Sequence, residues 1–248
     1  MKRWRLLVGP AVLFALWSLV TWAGLVRPLF LPTPWKVLSA LWFLLAEGPL
    51  WSDMAATLYR TITAFTLAAI LGLLIGIPLG VSRQFYESSE IVLDFFRSLP
   101  SPALIPLAML LLGLGDLSRI SVAAFTCTLI NAIQAAYALG DVPEQRLIAA
   151  KLAGARGTFL VRHVLVPSVV PRIVAGWRVT LSLSLIIIVV TEMFIGTQRG
   201  LGMRIYDSHL MFRSADMYAA ILVVGVMGYL LNKGIEVLDQ RLVHWRGK

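Results

Sequence analysis

Residues 6–26 contain no charged side chain, and several later stretches of the chain come close to that. A hydrocarbon core about 30 Å thick is crossed by roughly 20 apolar residues in a helix, since a spanning segment must satisfy its backbone groups internally. Further runs lie between Arg60 and Arg83, between Arg97 and Asp116, and between Arg119 and Asp141. A fifth begins near Pro167 or Ile173, contains Arg178 and continues through LSLSLIIIVVT to Glu192. The sixth lies between Asp216 and Lys233 and is short unless its helix continues into the polar tail. The expected fold is therefore all-α and polytopic, with about six transmembrane helices.

Composition agrees. Charged residues make up 14% of the 248 and hydrophobic residues 58%, whereas a soluble domain carries about 25% charge. The 22 Lys+Arg against 13 Asp+Glu leave a formal +9, which in a soluble protein would point to nucleic acid. Here the apolar excess puts the bilayer first, and no nucleic-acid partner is expected. Cys127, the single cysteine, excludes a disulfide scaffold.

Lys and Arg collect on the cytoplasmic side of membrane proteins. With the N-terminus inside, the cytoplasmic set is Lys2, Arg3, Arg5, Arg83, Arg146, Lys151, Arg156, Arg162, Arg172, Lys233, Arg241, Arg246 and Lys248. The outer set is Arg27, Lys36, Arg119, Arg199, Arg204 and Arg213, with Arg60, Arg97 and Arg178 in or at the ends of spans. The bias predicts both termini inside. MKRWR ahead of the first run resembles a signal-peptide start, but the run is long and no small-residue cleavage site follows, so a retained helix is expected. Residues 31–51 are broken by Pro32, Pro34, Lys36, Glu47 and Pro49, while Val37, Leu38, Leu41, Trp42 and Leu45 recur at helical spacing. They read as an interfacial amphipathic helix. The segments expected are thus 1–53 (first span plus interfacial helix), 54–240 (transmembrane core) and 241–248 (tail).

Gly72, Gly76 and Gly80 repeat a small-xxx-small spacing that lets helices approach closely, either beside a pathway or as a plain packing seam. Arg97-Ser98-Leu99-Pro100-Ser101-Pro102 cannot be one unbroken helix, because each proline lacks a donor and crowds the preceding turn. Irregular backbone at membrane depth needs cover from protein or a water-filled cavity, so a broken helix facing the interior and a kink at the surface both remain open. Asn131 and Gln134, three apart, share a helix face, whereas Ser182 and Ser184 do not. Such groups either join helices or line a path. An intramembrane carboxylate such as Glu192 is costly and marks function unless it lies at the outer surface. The candidate pathway set is Arg97, Ser98, Pro100, Asn131, Gln134, Arg178, Ser182 and Glu192.

The longest polar insertion, residues 141–163, reads DVPEQRLIAAKLAGARGTFLVRH. It predicts a short helix opened by Pro143, a break at Gly154 and a second helix. Ala149, Ala150 and Ala153 give a small-residue face suited to docking another protein, and its basic residues also suit anionic lipid. Here the chain resembles the inner-membrane permease subunits of bacterial ABC importers, whose motif is Glu-Ala-Ala, three residues, Gly, nine residues, then Ile-x-Leu-Pro. Ala149, Ala150 and Gly154 match it, and Val164-Leu165-Val166-Pro167 falls at the matching distance. Ile148 stands where the family has glutamate, which removes the basis for a polar contact there and leaves the helix. LPTPWKVLSAL, LPSPALIPLAMLLLGLGDLSRI and TEMFIGTQRGLG extend the resemblance over nearly the whole chain, towards permeases for nitrate, sulfonates, taurine and thiamine precursors.

The resemblance implies a type I importer permease fold and a homodimeric pathway for a small solute; a small anion would suit cationic groups near that pathway, for which Arg60, Arg97 and Arg178 are the candidates. It implies a periplasmic substrate-binding protein outside and a cytoplasmic ABC ATPase docked on a coupling helix carrying Ala149, Ala150, Lys151, Gly154, Ala155 and Pro167. ATP and Mg would belong to that ATPase, because no G-x-x-x-x-G-K-[ST] motif is present, and no cofactor is expected on this chain. The location implied is the bacterial inner membrane. His163, His209 and His244 have no metal-ligand spacing, and no nucleophile motif such as G-x-S-x-G occurs, so no enzyme chemistry is expected. The competing class is an ion-coupled secondary carrier using Glu192, against which stands the lack of inverted halves.

Overall fold

Eleven α-helices follow from these runs among the described residues, which are 5–242 of a computed structural model, and no strand occurs among them. The expected cytoplasmic residues Lys2, Arg3, Arg246 and Lys248 lie outside the described residues, as do His244 and most of the 241–248 tail. Helix α1 is Arg5–Trp22 and α2 is Pro34–Ala46; Thr33 caps α2 by accepting from the Lys36 N–H, and Pro34 takes its first turn. α3 is Leu50–Val81, α4 is Arg83–Arg97, and a 3₁₀ turn over Ser101–Leu104 leads into α5, Ile105–Leu112. α6 is Asp116–Gly140, α7 is Glu144–Leu152 and α8 is Gly157–Leu160. A π-turn, Val161–Leu165, joins α8 to α9, Val166–Ile195, and then come α10, Leu201–Leu210, and α11, Ser214–Leu242.

Among the described residues, four helical runs are long and apolar enough to cross a membrane: α3, α6, the continuous stretch Gly157–Ile195, and α11. α4 and the Ser101–Leu112 segment, bent by 86°, make a fifth when taken as one broken span, and α1 adds a shorter apolar helix. That agrees approximately with six spans. The extents differ. α3 begins ten residues before Arg60 and carries Asp53 inside it, so no element boundary falls at 53/54. α9 runs unbroken past Pro171, and the π-turn absorbs the donor missing at Pro167 by shifting the hydrogen-bond register ahead of it. The stretch between Arg97 and Asp116 is not one helix: the chain breaks at 98–100, and the pair begins with the charged helix α4.

α6 is the central helix. Its small side chains Ala123, Ala124, Cys127, Ala132 and Ala135 are buried against α3 and α9. The α3 glycines form the seam. A Cβ on Gly76 would lie 2.5 Å from the Ala132 carbonyl and 2.7 Å from the Ala135 Cβ, and one on Gly80 would lie 2.6 Å from the Leu139 Cβ. Only hydrogen at these positions lets the two backbones approach this closely. α2 buries Pro34, Val37 and Leu44, with Val37 and Leu44 packed into a cluster that includes Leu201, Ala219 and Val223, and leaves Trp35 and Trp42 exposed. The amphipathic helix expected from the sequence is thus seated on α10 and α11.

Candidate functional site

Where α6 begins and α9 ends, six charged side chains meet with three positive and three negative charges. Asp53, Thr57 and Arg60 occupy one face of α3 at i, i+4 and i+7. The Arg60 guanidinium donates to Glu192 Oε1 at 2.6 Å, to Asp116 Oδ1 at 2.8 Å, to the Arg199 carbonyl at 2.8 Å and to Thr197 Oγ1 at 3.3 Å. Glu192 also accepts from Thr57 Oγ1 and, at 2.9 Å, from the Gly202 N–H, and its side chain is fully buried. Arg119 donates to Asp116 at 2.9 Å, to the Leu114 carbonyl at 3.0 Å and to the Gly196 carbonyl. Arg204 clamps Asp53 Oδ2 with two donors at 2.9 and 2.7 Å.

The same groups cap α10. The first N–H groups of a helix have no partner inside it and carry the positive end of its dipole. Here the N–H of Gly200 donates to Asp53, that of Leu201 to Thr57 and that of Gly202 to Glu192. All three acceptors come from α3 and α9, so α10 is capped by tertiary structure. Gly200 has φ +150, and a Cβ there would lie 2.6 Å from the Glu192 carboxyl carbon. The TEMFIGTQRGLG stretch needs its second glycine for that approach. Glu192, a candidate pathway residue, thus joins α9 to α3 and α10, and Arg60 extends the knot to α6 through Asp116. Sequence reading set aside Asp53, Thr57, Asp116, Arg119 and Arg204; the i, i+4, i+7 spacing of Asp53, Thr57 and Arg60 was the available signal.

The other candidates scatter over α6, α9 and the break. Asn131 faces α3, its Cβ against Gly72, and neither amide atom has a hydrogen-bond partner among the described residues. Gln134 reaches the other way, to Gly176 of α9. Ser182 accepts from Asn232 of α11 at 2.8 Å, while Ser184 donates to the Thr61 carbonyl of α3, as their spacing requires. Arg178 is half-buried beside Ser182, its Nε without a partner among the described residues. Arg97 and Ser98 are exposed at the end of α4, and Pro100 begins the turn into α5. The structure therefore does not gather these eight residues into one cavity.

At the opposite end from the charge cluster, α7 stands clear of the bundle with no buried residue. Its sequence stops it cleanly. The Ala155 N–H donates to the Ala150 carbonyl and the Gly154 N–H to the Lys151 carbonyl, the paired bonds of a Schellman ending. Gly154 has φ +88, a conformation that costs any residue with a Cβ. Ala155 is buried and fixes the turn, whereas Ile148, Ala149, Lys151 and Leu152 are exposed, Leu152 by 84%. Leu147 alone leans back, packing with Leu139 and Leu165. Arg172 pairs with Asp141 at 2.6 Å and ties α9 to the approach to α7. Pro167 is exposed just past the π-turn.

Residues 68–245 match the family model described as "Binding-protein-dependent transport system inner membrane component". The chain belongs to that family. It is an ABC-type transport permease component and a multi-pass membrane protein. The taurine transport system permease protein TauC of Escherichia coli (strain K12) is 30% identical over 96% of this chain and 88% of its own. The putative aliphatic sulfonates transport permease protein SsuC of Bacillus subtilis (strain 168) is 28% identical over 97% and 87%. The nitrate import permease protein NrtB of Synechocystis sp. is 27% identical over 95% and 88%. A chain of the MetNI methionine ABC transporter, solved in inward facing conformations, superposes with a TM-score of 0.67 at 20% identity, covering 80% of this chain and 99% of that one. The type I importer permease fold follows.

Proposed function

We propose that the chain is the permease subunit of an ATP-driven importer in the bacterial inner membrane, two identical copies of which enclose the path of a small anionic solute. Taurine, an alkanesulfonate or nitrate is the solute class, after the relatives at 27–30% identity. A periplasmic binding protein delivers it, and a cytoplasmic ATPase carrying ATP and Mg docks on α7. Both termini then lie on the cytoplasmic side.

The observation that carries this reading is α7 itself. A nine-residue helix with no fully buried residue, anchored to its own fold only through half-buried Leu147, yet ended by a strict glycine-dependent turn, is held for something else to grip. Exposed Ile148 and Leu152, at i and i+4, offer an apolar ridge flanked by Lys151. The charge cluster supports a mechanical division of labour. It ties α3, α6, α9 and α10 together at one end, so a push on α7 at the other end tilts the helices about that knot instead of deforming one of them. Glu192 spends its carboxylate on Arg60, Thr57 and Gly202, which suits a fastening better than a proton carrier.

The test is co-expression with the neighbouring ATPase and binding protein, followed by uptake of labelled taurine, methanesulfonate or nitrate into proteoliposomes. Gly154→Pro, or deletion of 141–163, should abolish ATPase binding and uptake together. Retention of both would sink the proposal, as would uptake that follows a proton gradient and ignores ATP.

A further inference from the structure

α4 carries charges at Arg83, Glu87, Glu90, Asp94 and Arg97, in steps of four, three, four and three residues. Those steps return to one side of a helix each time, so all five form a single stripe. All five are exposed. Arg83 pairs with Glu87 at 2.7 Å and Arg97 with Asp94 at 3.0 Å, within the stripe itself, and Glu90 forms no ion pair among the described residues. A different flank of α4 holds it to the bundle: Leu93 is buried with Leu79, Ala132 and Ala136. A third flank, with Ile91 at 83% exposure alongside Phe95 and Val92, is apolar and uncovered.

The depth of the stripe comes from two ring contacts with α6. Near its start, α4 places Tyr86 against Tyr137, at 6.3 Å between centroids and close to the end of α6; near its finish, it places Phe96 against Phe125 at 5.7 Å. The twelve residues from 125 to 137 are about 18 Å of helix. α4 therefore climbs from the α7 end of α6 towards its middle, where the chain breaks at 98–100 and turns by 86°. Asp94 and Arg97 arrive near mid-span with their side chains about half exposed, at 52% and 48%. Charged groups at that depth do not face hydrocarbon; they face protein or water. Irregular backbone such as 98–100 has the same requirement.

We propose that the charged face of α4 is one wall of the water-filled, cytoplasm-facing half of the solute path, ending at Arg97, whose planar guanidinium receives the anionic head of the solute. An arginine fork matches a sulfonate or nitrate through two parallel donors. The bent α4–α5 pair closes the path above it, and the apolar Ile91 flank turns to lipid or to the second copy. The identity of the solute rests on the transport reading above; the position of the wall does not.

Spin labels on single cysteines at 85, 87, 90, 92, 94 and 95, in a Cys127→Ala background of the reconstituted full transporter, separate these claims. Accessibility to water-soluble NiEDDA should peak at 87, 90 and 94 and fall at 92 and 95. Membrane depth should increase from 85 to 95 by roughly 10–15 Å, the rise of ten helical residues less their tilt. Equal depths at 85 and 95, the pattern of a helix flat in the headgroups, or NiEDDA access at 94 as low as at 95, would overturn the wall. For Arg97, the Arg97→Gln transporter should raise KM for whichever of taurine, methanesulfonate or nitrate is carried by tenfold or more, with Arg97→Lys intermediate and kcat changed less. An unchanged KM overturns the anion contact. Failure of the unsubstituted transporter to carry any of the three overturns the solute class, while the accessibility pattern still decides the wall.

Discussion

Removing the Glu192 carboxylate should be among the most damaging single changes available in this chain. Glu192→Ala deletes the acceptor of a 2.6 Å bond from Arg60, of the Thr57 hydroxyl and of the Gly202 N–H, in a place with no exposure. Arg60 keeps Asp116 and the Arg199 carbonyl, but it remains a buried cation with its fully buried counter-charge gone. Breaking a buried ion pair from one side costs about 3–5 kcal/mol. For a chain of this size each kcal/mol moves Tm by about 2–4 °C, so the loss is roughly 6–20 °C. The reference is Glu236→Ala. Its pair with Lys233, at 3.0 Å, has side chains 36% and 53% exposed, so water screens it and its loss leaves no buried charge. Monodispersity in detergent after stepwise heating, followed through a fluorescent fusion, reads both variants. A Glu192→Ala shift no larger than that of Glu236→Ala would refute the account of the cluster as the fastening of the bundle. Arg60→Met with Glu192→Met should recover much of the loss, because an apolar pair leaves no orphaned charge.

Other consequences follow from packing and backbone geometry. Gly76→Ala should cost about 1–3 kcal/mol by overpacking against Ala132 and Ala135, while Gly225→Ala, with open space around its Cβ position, should leave Tm level or slightly raised; equal effects would remove the seam from the argument. Asn131→Leu should raise Tm by a few degrees, because an amide with both polar atoms unpartnered is replaced by a side chain of similar volume; a fall in Tm would mean that the amide is satisfied by water. Gly154→Ala should cost about 1 kcal/mol for its left-handed conformation and reduce ATP-driven uptake more than it reduces Tm. Leu152→Asp should weaken ATPase binding at least tenfold in a pull-down titration while Tm stays put, since Leu152 touches little of its own fold.

The local features were legible for local reasons. The short helix, the glycine break and the second helix of residues 141–163 appear as α7, the Gly154 turn and α8, because capping and φ > 0 are decided within a few residues. The glycine spacing on α3 announced a close crossing but left its partner open; α6 is the partner, offering alanines where α3 offers hydrogen. α4 was missed as a helix. Its regularity lies in charge, and a search for apolar runs passes over a stripe of Arg, Glu and Asp at helical spacing.

Chain composition and hydropathy were enough to establish a polytopic all-α membrane protein, because crossing a bilayer is a length requirement that each segment meets by itself. The limits of the spans and the meaning of the charges inside them were not readable that way. Arg60, Asp116, Arg119 and Glu192 look like the edges of apolar runs, since an isolated charge does belong at an edge. They meet only when the chain folds, Arg60 with Asp116 across 56 positions and with Glu192 across 132. A charge neutralised by a distant partner can sit inside a helix that its own neighbours in sequence would have ended.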